Sequence, residues 1–246
     1  MAIEVFNRYE NKYLMDTQAF HRIYERLMDY MELDDYNKNN KVYSISNIYY
    51  DTEHHTLIRS SLSKPKYREK LRIRAYGIPE PGAKVYLELK KKVFGLVNKR
   101  RTALKLDEAY EFVRTGKAPA YRNGMNKQVM QEIEYFLSRY ELKPMVYLAY
   151  DRIAMFCKGN RDLRITFDAN IRSRRYDLRL EQGDYGEQLM EEGQWLMEVK
   201  AEKTVPVWLS KLLSELHMYR TGFSKYGNEY KKSIRYANQE KERILC

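Results

Sequence analysis

Between residues 68 and 101 charged and apolar side chains alternate with period two, and that alternation constrains the fold more than any other stretch. A β-strand sends successive side chains to opposite faces. Read as strand, Arg68, Lys70, Arg72 and Arg74 share one face, and Leu71, Ile73 and Ala75 share the other. After a Gly/Pro turn, Glu88, Lys90 and Lys92 stand opposite Leu87 and Leu89. A second, Gly-containing turn leads to Lys99 and Arg101, again of one parity. Three antiparallel strands that gather cations, with a few carboxylates among them, present a surface suited to a polyanion.

The same parity recurs elsewhere. Arg8, Glu10 and Lys12 align in a strand over 5–14, and Glu198 and Lys200 align in one over 195–200. Arg152 and Arg164 are single cations in the apolar strands 144–157 and 163–168, and 42–50 is a further strand. An antiparallel sheet with one polar face normally turns that face to water. Two features argue against that here. The polar faces are dominated by Arg and Lys. The chain also carries amphipathic helices over 17–31, with Phe20, Ile23, Tyr24, Leu27, Met28 and Met31 in helical spacing, and over 107–115, 126–140 and 206–219, with a last one capped by Ser224. Such helices must cover apolar surface. The expected fold is therefore α+β: an antiparallel β-barrel of about eight strands with its charges in a polar tunnel and its helices packed outside. Cations facing one another across a narrow lumen repel, and a multivalent anion or water must fill it. Loops are expected at 34–41, 116–124 and 182–193. Residues 170–180 are expected to be extended, with Arg172, Arg174, Arg175 and Arg179 on a solvated basic face, and Asp51 is read as a structural cap. With no repeat and no low-complexity linker, 1–246 reads as one domain with a core of about 4–236.

Composition sets the limits. Lys and Arg number 45 against 34 Asp and Glu, for a net charge of +11. That balance suits nucleotide, polyphosphate, nucleic acid or anionic membrane alike, so the position of the charges must decide. The 43% hydrophobic content excludes a disordered chain. The 23 tyrosines are assigned to the barrel exterior and helix interfaces, and no nucleic-acid partner is expected. Cys157 and Cys246 stand far apart, and no Cys/His cluster has zinc spacing. A reducing cytoplasm is the expected compartment. The N-terminus has no apolar signal region, and no run approaches the roughly 20 apolar residues of a membrane-spanning helix.

Nine short pieces, in order along nearly the whole chain, carry a resemblance: Glu10-Asn-Lys12-Tyr13, Ser46-Asn-Ile-Tyr-Tyr-Asp51-Thr52, Leu71-Arg72-Ile-Arg74, Glu88-Leu-Lys90, Lys99-Arg-Arg101, Tyr150-Asp-Arg152, Leu163-Arg164-Ile-Thr-Phe-Asp168, Met197-Glu198-Val-Lys200 and Ser224-Lys225-Tyr226. Each is weak alone; the ordered set resembles the polyphosphate polymerase domain of vacuolar transporter chaperone (VTC) proteins, within the triphosphate tunnel metalloenzyme (CYTH-like) superfamily. The resemblance implies a metal-dependent phosphotransferase that moves the γ-phosphate of ATP to a growing polyphosphate chain and releases ADP. It implies Arg72, Arg74, Lys90, Arg152 and Arg164 at the reacting phosphates. Lys12, Lys99, Tyr150, Lys200, Ser224 and Lys225 would bind further phosphates. Glu198 would be the Mn²⁺ or Mg²⁺ ligand, with Glu10 or Glu88 in support. These residue types suit the chemistry, because phosphoryl transfer asks for positioning and charge neutralisation, and a terminal phosphate acceptor needs no strong base. The alternatives are a tunnel triphosphatase acting on inorganic or nucleoside triphosphate, and a non-catalytic polyanion-binding module.

Two positions depart from the pattern. Arg8 stands where many superfamily members have the first Glu of Glu-x-Glu-x-Lys, and Lys92 stands where vacuolar members resemble a His. The SPX domain and membrane helices of the vacuolar proteins have no counterpart in these 246 residues, so any membrane partner is expected to be a separate chain.

Overall fold

The computed structural model describes residues 5–244. The side chains of Arg8 and Cys246 fall outside the described part. The strands are β1 (Val5–Asp16), β2 (Met31–Leu33), β3 (Tyr43–Asp51), β4 (Tyr67–Tyr76), β5 (Lys84–Val93), β6 (Leu96–Lys105), β7 (Lys143–Cys157), β8 (Asn160–Arg174), β9 (Glu187–Gln188) and β10 (Gln194–Ala201). The helices are α1 (Thr17–Leu27), α2 (Thr56–Leu62), α3 (Leu106–Thr115), α4 (Lys127–Arg139), α5 (Val207–Glu215) and α6 (Lys225–Ile244). Among the described residues no helix is long and apolar enough to cross a membrane.

The fold is α+β, with all strands in one antiparallel sheet of order β2-β7-β3-β4-β5-β6-β1-β10-β8-β9. Among the described residues the sheet has ten strands, against about eight expected. Strand β7 also pairs with β8, from Tyr147 opposite Arg174 to Cys157 opposite Asn160. The β5–β6 hairpin turns on Phe94 and Gly95, both at positive φ (46° and 91°). Two left-handed residues match the strand twist and hold the register. That register sets Glu88 opposite Arg101 and Lys90 opposite Lys99.

The alternation sorts the strands as expected. Leu71, Ile73, Leu87 and Leu89 pack with Phe112, Val129, Ile133 and Phe136 of α3 and α4. Tyr13, Met155, Ile165 and Phe167 pack with Phe20, Ile23 and Leu27 of α1 and with Leu209 and Leu212 of α5. A third apolar cluster lies on the parity of the charges: Ile45, Tyr49, Leu148, Tyr150 and Leu196 meet Ile58 of α2 and Tyr226 and Tyr230 of α6. Alternation alone does not reveal this cluster, because it depends on where α6 returns to the sheet.

Several elements differ from expectation. The first helix stops at Leu27, and Met31 is buried instead on β2, paired with Cys157. A three-residue strand is too short to show a period. The loop at 34–41 contains a 3-10 turn, Asp35–Asn40. The segment 163–168 and the first part of 170–180, as far as Arg174, merge into β8, which passes through Asn170 at φ 48°. The basic face of the 170s does not form as a set. Arg174 is buried, donates to the carbonyls of Asp177, Arg179, Gly183 and Tyr185, and lies over the Tyr147 ring. Arg172 pairs with Asp151 and Asp184, and Arg175 with Glu229. Only Arg179 of the four is as exposed as expected, and it pairs with Glu181. A guanidinium with five donors can hold a loop in place as readily as it meets solvent.

Asp51 is a cap, as expected, with a wider role. Its buried carboxylate accepts the backbone N–H groups of Thr52 (2.8 Å), Leu57 (2.8 Å) and Ile58 (2.9 Å) and the Tyr226 hydroxyl (3.1 Å). The Tyr226 ring stacks on Tyr49 at 4.9 Å, and the Tyr49 hydroxyl accepts from Arg72 at 2.8 Å. One carboxylate thus ties α2, the start of α6 and the charged strands together. Asp51→Ala is expected to lower unfolding free energy by about 3 kcal/mol, since it strips several buried donors of their acceptor. Urea denaturation followed by circular dichroism measures it; a loss within experimental error would contradict the role.

Candidate functional site

The charged residues of like parity gather into interlocked clusters. In the first, Glu88 of β5 is 1% exposed and bound by three cations. Arg72 reaches it at 2.7 Å, Lys99 at 2.6 Å and Arg74 at 4.0 Å. Burial alone would raise the Glu88 carboxyl, but Lys99, Arg74 and Arg72 hold it well below the usual range. Arg74 also donates to Asn47 (2.9 Å) and to the Tyr150 hydroxyl (2.8 Å).

The second cluster centres on Glu198 of β10. Lys200 lies 2.8 Å away, Lys12 of β1 3.0 Å and Lys225, the first residue of α6, 3.3 Å. Here too burial works upward, and Lys12, Lys200 and Lys225 keep the carboxyl well below its ordinary value. Lys225 also bonds Asp168, which holds Arg152 in a two-pronged pair at 2.6 and 2.8 Å. Lys200 donates to Thr166 (3.2 Å).

Two pairs complete the set. Lys90 of β5 meets Glu10 of β1 at 2.8 Å, although β6 lies between those strands in the sheet order. Burial opposes ionisation of Glu10, and Lys90 with Lys200 and Lys12 brings its carboxyl down to about 2. Arg164 pairs with Asp34 at 2.8 Å. Ser224 accepts from Gly227 N–H (3.2 Å) at the start of α6, as a cap does, and from Lys70 of β4 (3.4 Å).

The fourteen site residues expected from sequence sit on β1, β4, β5, β6, β7, β8 and β10 and at the start of α6, with Lys90–Glu10 and Arg164–Asp34 as separate pairs beside the two clusters. The carboxylates differ in standing. Glu88 is enclosed by its three cations and serves as their counter-charge. Among the described residues the ion-pair partners of Glu198 and Glu10 are lysines. Asp168, Asp34, Tyr49 and Lys70 join the site in addition to the residues expected from sequence. Asp168 and Lys70 carried a signal, because they share parity with Arg164 and Arg72. Asp34 and Tyr49 carried none, since their roles arise from contacts with distant strands.

Lys70 is half-buried, and its nearest charged neighbours are mostly cations. Burial first, then Lys90, Lys12 and Arg68, lower its ammonium to about 7. Because the folded value lies below the unfolded 10.5, the charged form costs stability fully below pH 7, and that cost fades as pH rises from 7 towards 10.5. A bound polyanion reverses the balance. Binding of inorganic tripolyphosphate at pH 8 is expected to draw in close to one proton. Calorimetry in buffers of different ionisation enthalpy reads this directly, and Lys70→Met should abolish most of the uptake. Proton-neutral binding by the wild type would contradict the placement.

Among the described residues no group of three or more His, Cys, Asp and Glu is placed to hold an ion alone. Mg²⁺ and Mn²⁺ favour oxygen ligands, and Mg²⁺ is commonly held by one or two carboxylates plus phosphate oxygens and water. Glu198, with Glu10 electrostatically close to it, fits an ion that arrives with a phosphate substrate.

The VTC domain family model matches residues 7–234 of the chain. No curated protein matches it in sequence. Among solved structures it is similar to a Bacillus halodurans protein provisionally assigned as an adenylate cyclase, with TM-score 0.54, 16% identity, and coverage of 90% of this chain and 96% of that one. It is also similar to a Hippeastrum protein provisionally assigned as an adenylyl cyclase and described as having a dominant triphosphatase activity (TM-score 0.49, 18% identity, 89% and 93% coverage). A third is protein PH1819 of Pyrococcus horikoshii (TM-score 0.44, 15% identity, 92% and 98% coverage). At 16% identity the likeness to the Bacillus halodurans protein is one of fold.

Proposed function

The chain belongs to the VTC domain family, and on that premise we propose that it is a metal-dependent polyphosphate polymerase of the triphosphate-tunnel (CYTH-like) kind, using ATP. The observation that carries the reading is the excess of buried and half-buried cations on one strand face and at the α6 start that meets it. Lys12, Lys70, Arg72, Arg74, Lys90, Lys99, Arg152, Lys200 and Lys225 gather there around the fewer carboxylates Glu10, Glu88, Asp168 and Glu198. The pairing of β7 with β8 supports a face that curls into a tunnel. So do the two contacts of the α6 start, Ser224 with β4 and Lys225 with β8 and β10. Substrate phosphates supply the charge that the protein's own carboxylates do not.

In this reading Arg72, Arg74 and Lys90 hold the transferred phosphoryl group, and Arg152 and Arg164 hold its neighbours in line. The bond between the γ-phosphorus and the β–γ bridging oxygen breaks, and its electron pair stays on ADP. A terminal oxygen of the polyphosphate forms the new bond to that phosphorus. That oxygen is already ionised near neutral pH, so no side chain need remove a proton. The arginines act as planar forks on phosphate oxygens, and the lysines as point charges. Glu198, with Glu10, would hold a Mn²⁺ or Mg²⁺ ion, which supplies charge neutralisation at the phosphates. Lys99, Tyr150, Lys200, Ser224 and Lys225 line the path of the chain. One domain over 1–246 completes the proposal.

Incubation with ATP and Mn²⁺ tests it. The expected products are ADP and long polyphosphate. Stoichiometric free phosphate without polymer would replace the reading with a triphosphatase, and binding without turnover would leave a polyanion-binding module. Glu198→Gln is expected to weaken the response to added Mn²⁺ at least tenfold, as seen in metal titration of the rate; an unaltered metal response would contradict its ligand role.

A further inference from the structure

At one end of the charged face the cations give way to rings. Tyr76 follows Arg74 by two positions on β4, and Tyr86 precedes Glu88 by two on β5. Both therefore have the parity of the phosphate-side residues, about 7 Å further along their strands. Tyr36, from the 3-10 turn, lies over Tyr76 with centroids 5.3 Å apart and planes 5° from parallel. Tyr43 stands 5.6 Å from Tyr36 and 6.0 Å from Tyr76, and Tyr86 meets Tyr76 edge-on at 5.9 Å. The Arg101 guanidinium lies 4.7 Å over Tyr86. Arg164 reaches the same end through Asp34, whose side chain accepts from the Tyr36 N–H.

Two observations mark this collar as open to a ligand. Tyr36 is 60% exposed and Tyr76 37%, so their stack is not core. The Nε atoms of Arg101 and Arg164 are buried without a hydrogen-bond partner. Buried donors normally find acceptors, and a ligand satisfies such orphans at low cost. The geometry points to a nucleobase subsite: the base of a nucleoside triphosphate stacks on the Tyr36–Tyr76 pair while its phosphates run inward to Arg74 and Arg72. Stacking on phenol rings tolerates any base, so the site favours nucleotides over bare triphosphate without choosing strongly among purines. Sugar or first-phosphate oxygens accept from Arg101 and Arg164.

This subsite rests on the nucleotide-tunnel reading above, and the experiment separates the two. Calorimetry compares ATP with inorganic tripolyphosphate on the full chain and on the double variant Tyr36→Ala/Tyr76→Ala. ATP affinity is expected to fall about tenfold or more, with tripolyphosphate affinity within twofold of wild type. Tyr36→Phe/Tyr76→Phe should keep both. Unchanged ATP affinity in the alanine variant, or equal loss of both ligands, overturns the base site and leaves the tunnel reading standing. Failure of the wild type to bind tripolyphosphate overturns both.

Discussion

Replacing Arg72 by alanine is expected to lower ATP turnover about a thousandfold or more while the protein stays folded. The magnitude is that of removing an arginine that neutralises charge on a transferring phosphoryl group. Arg72 donates Nε to Glu88 (2.8 Å) and Nη1 to Tyr49 (2.8 Å), which fixes its plane before any substrate arrives. Its loss leaves Glu88 with Lys99 at 2.6 Å and Arg74 at 4.0 Å, so the buried carboxylate keeps counter-charges and the strand need not open. Arg72→Lys should retain much of the binding and little of the rate, because an ammonium cannot offer two parallel donors. Steady-state kinetics beside a thermal melt separates the cases. A folded Arg72→Ala variant with near-normal kcat would remove Arg72 from the reaction.

Glu88→Gln is expected to have the largest effect on stability, a loss of about 3–5 kcal/mol. Arg72, Arg74 and Lys99 would then share a buried site with no carboxylate among them. The wild type depends on this charge in a pH-dependent way. Glu88 and Glu198 lie below the usual carboxylate range in the folded state, and Asp168 and Glu10 lie at about 2. Their contribution is complete above the unfolded values and is lost as pH falls through the folded ones. The urea midpoint should therefore drop steeply below about pH 4 in the wild type, and less in Glu88→Gln, which has already lost one such group. Tripolyphosphate should rescue the variant, since a ligand at a hundred times its Kd adds about 2.7 kcal/mol. A Glu88→Gln melt equal to wild type would contradict the placement of the three cations.

Much of this was legible because β-structure writes its faces into the sequence with period two. Arg72 and Arg74 could be set on one side and Leu71 and Ile73 on the other before any pairing was known. Pairing itself was not legible. Nothing local tells that Lys90 meets Glu10, 80 positions away, or that Lys225 returns to Asp168, 57 positions away. The residues nearest the mistaken basic face show the same limit. Arg174 looks like its neighbours in sequence, yet the turn at 177–185 folds back and offers it carbonyls. The aromatic collar was half legible. Tyr76 and Tyr86 share parity with Arg74 and Glu88, but Tyr36 enters from a turn with no strand period.

If the cationic face is built for phosphate chains, calorimetric titration of inorganic tripolyphosphate into the wild-type protein shows it. Saturable one-to-one binding is expected, weakening as salt rises and lost or strongly reduced in Arg72→Ala. Absence of binding, or binding indifferent to Arg72→Ala, would contradict it.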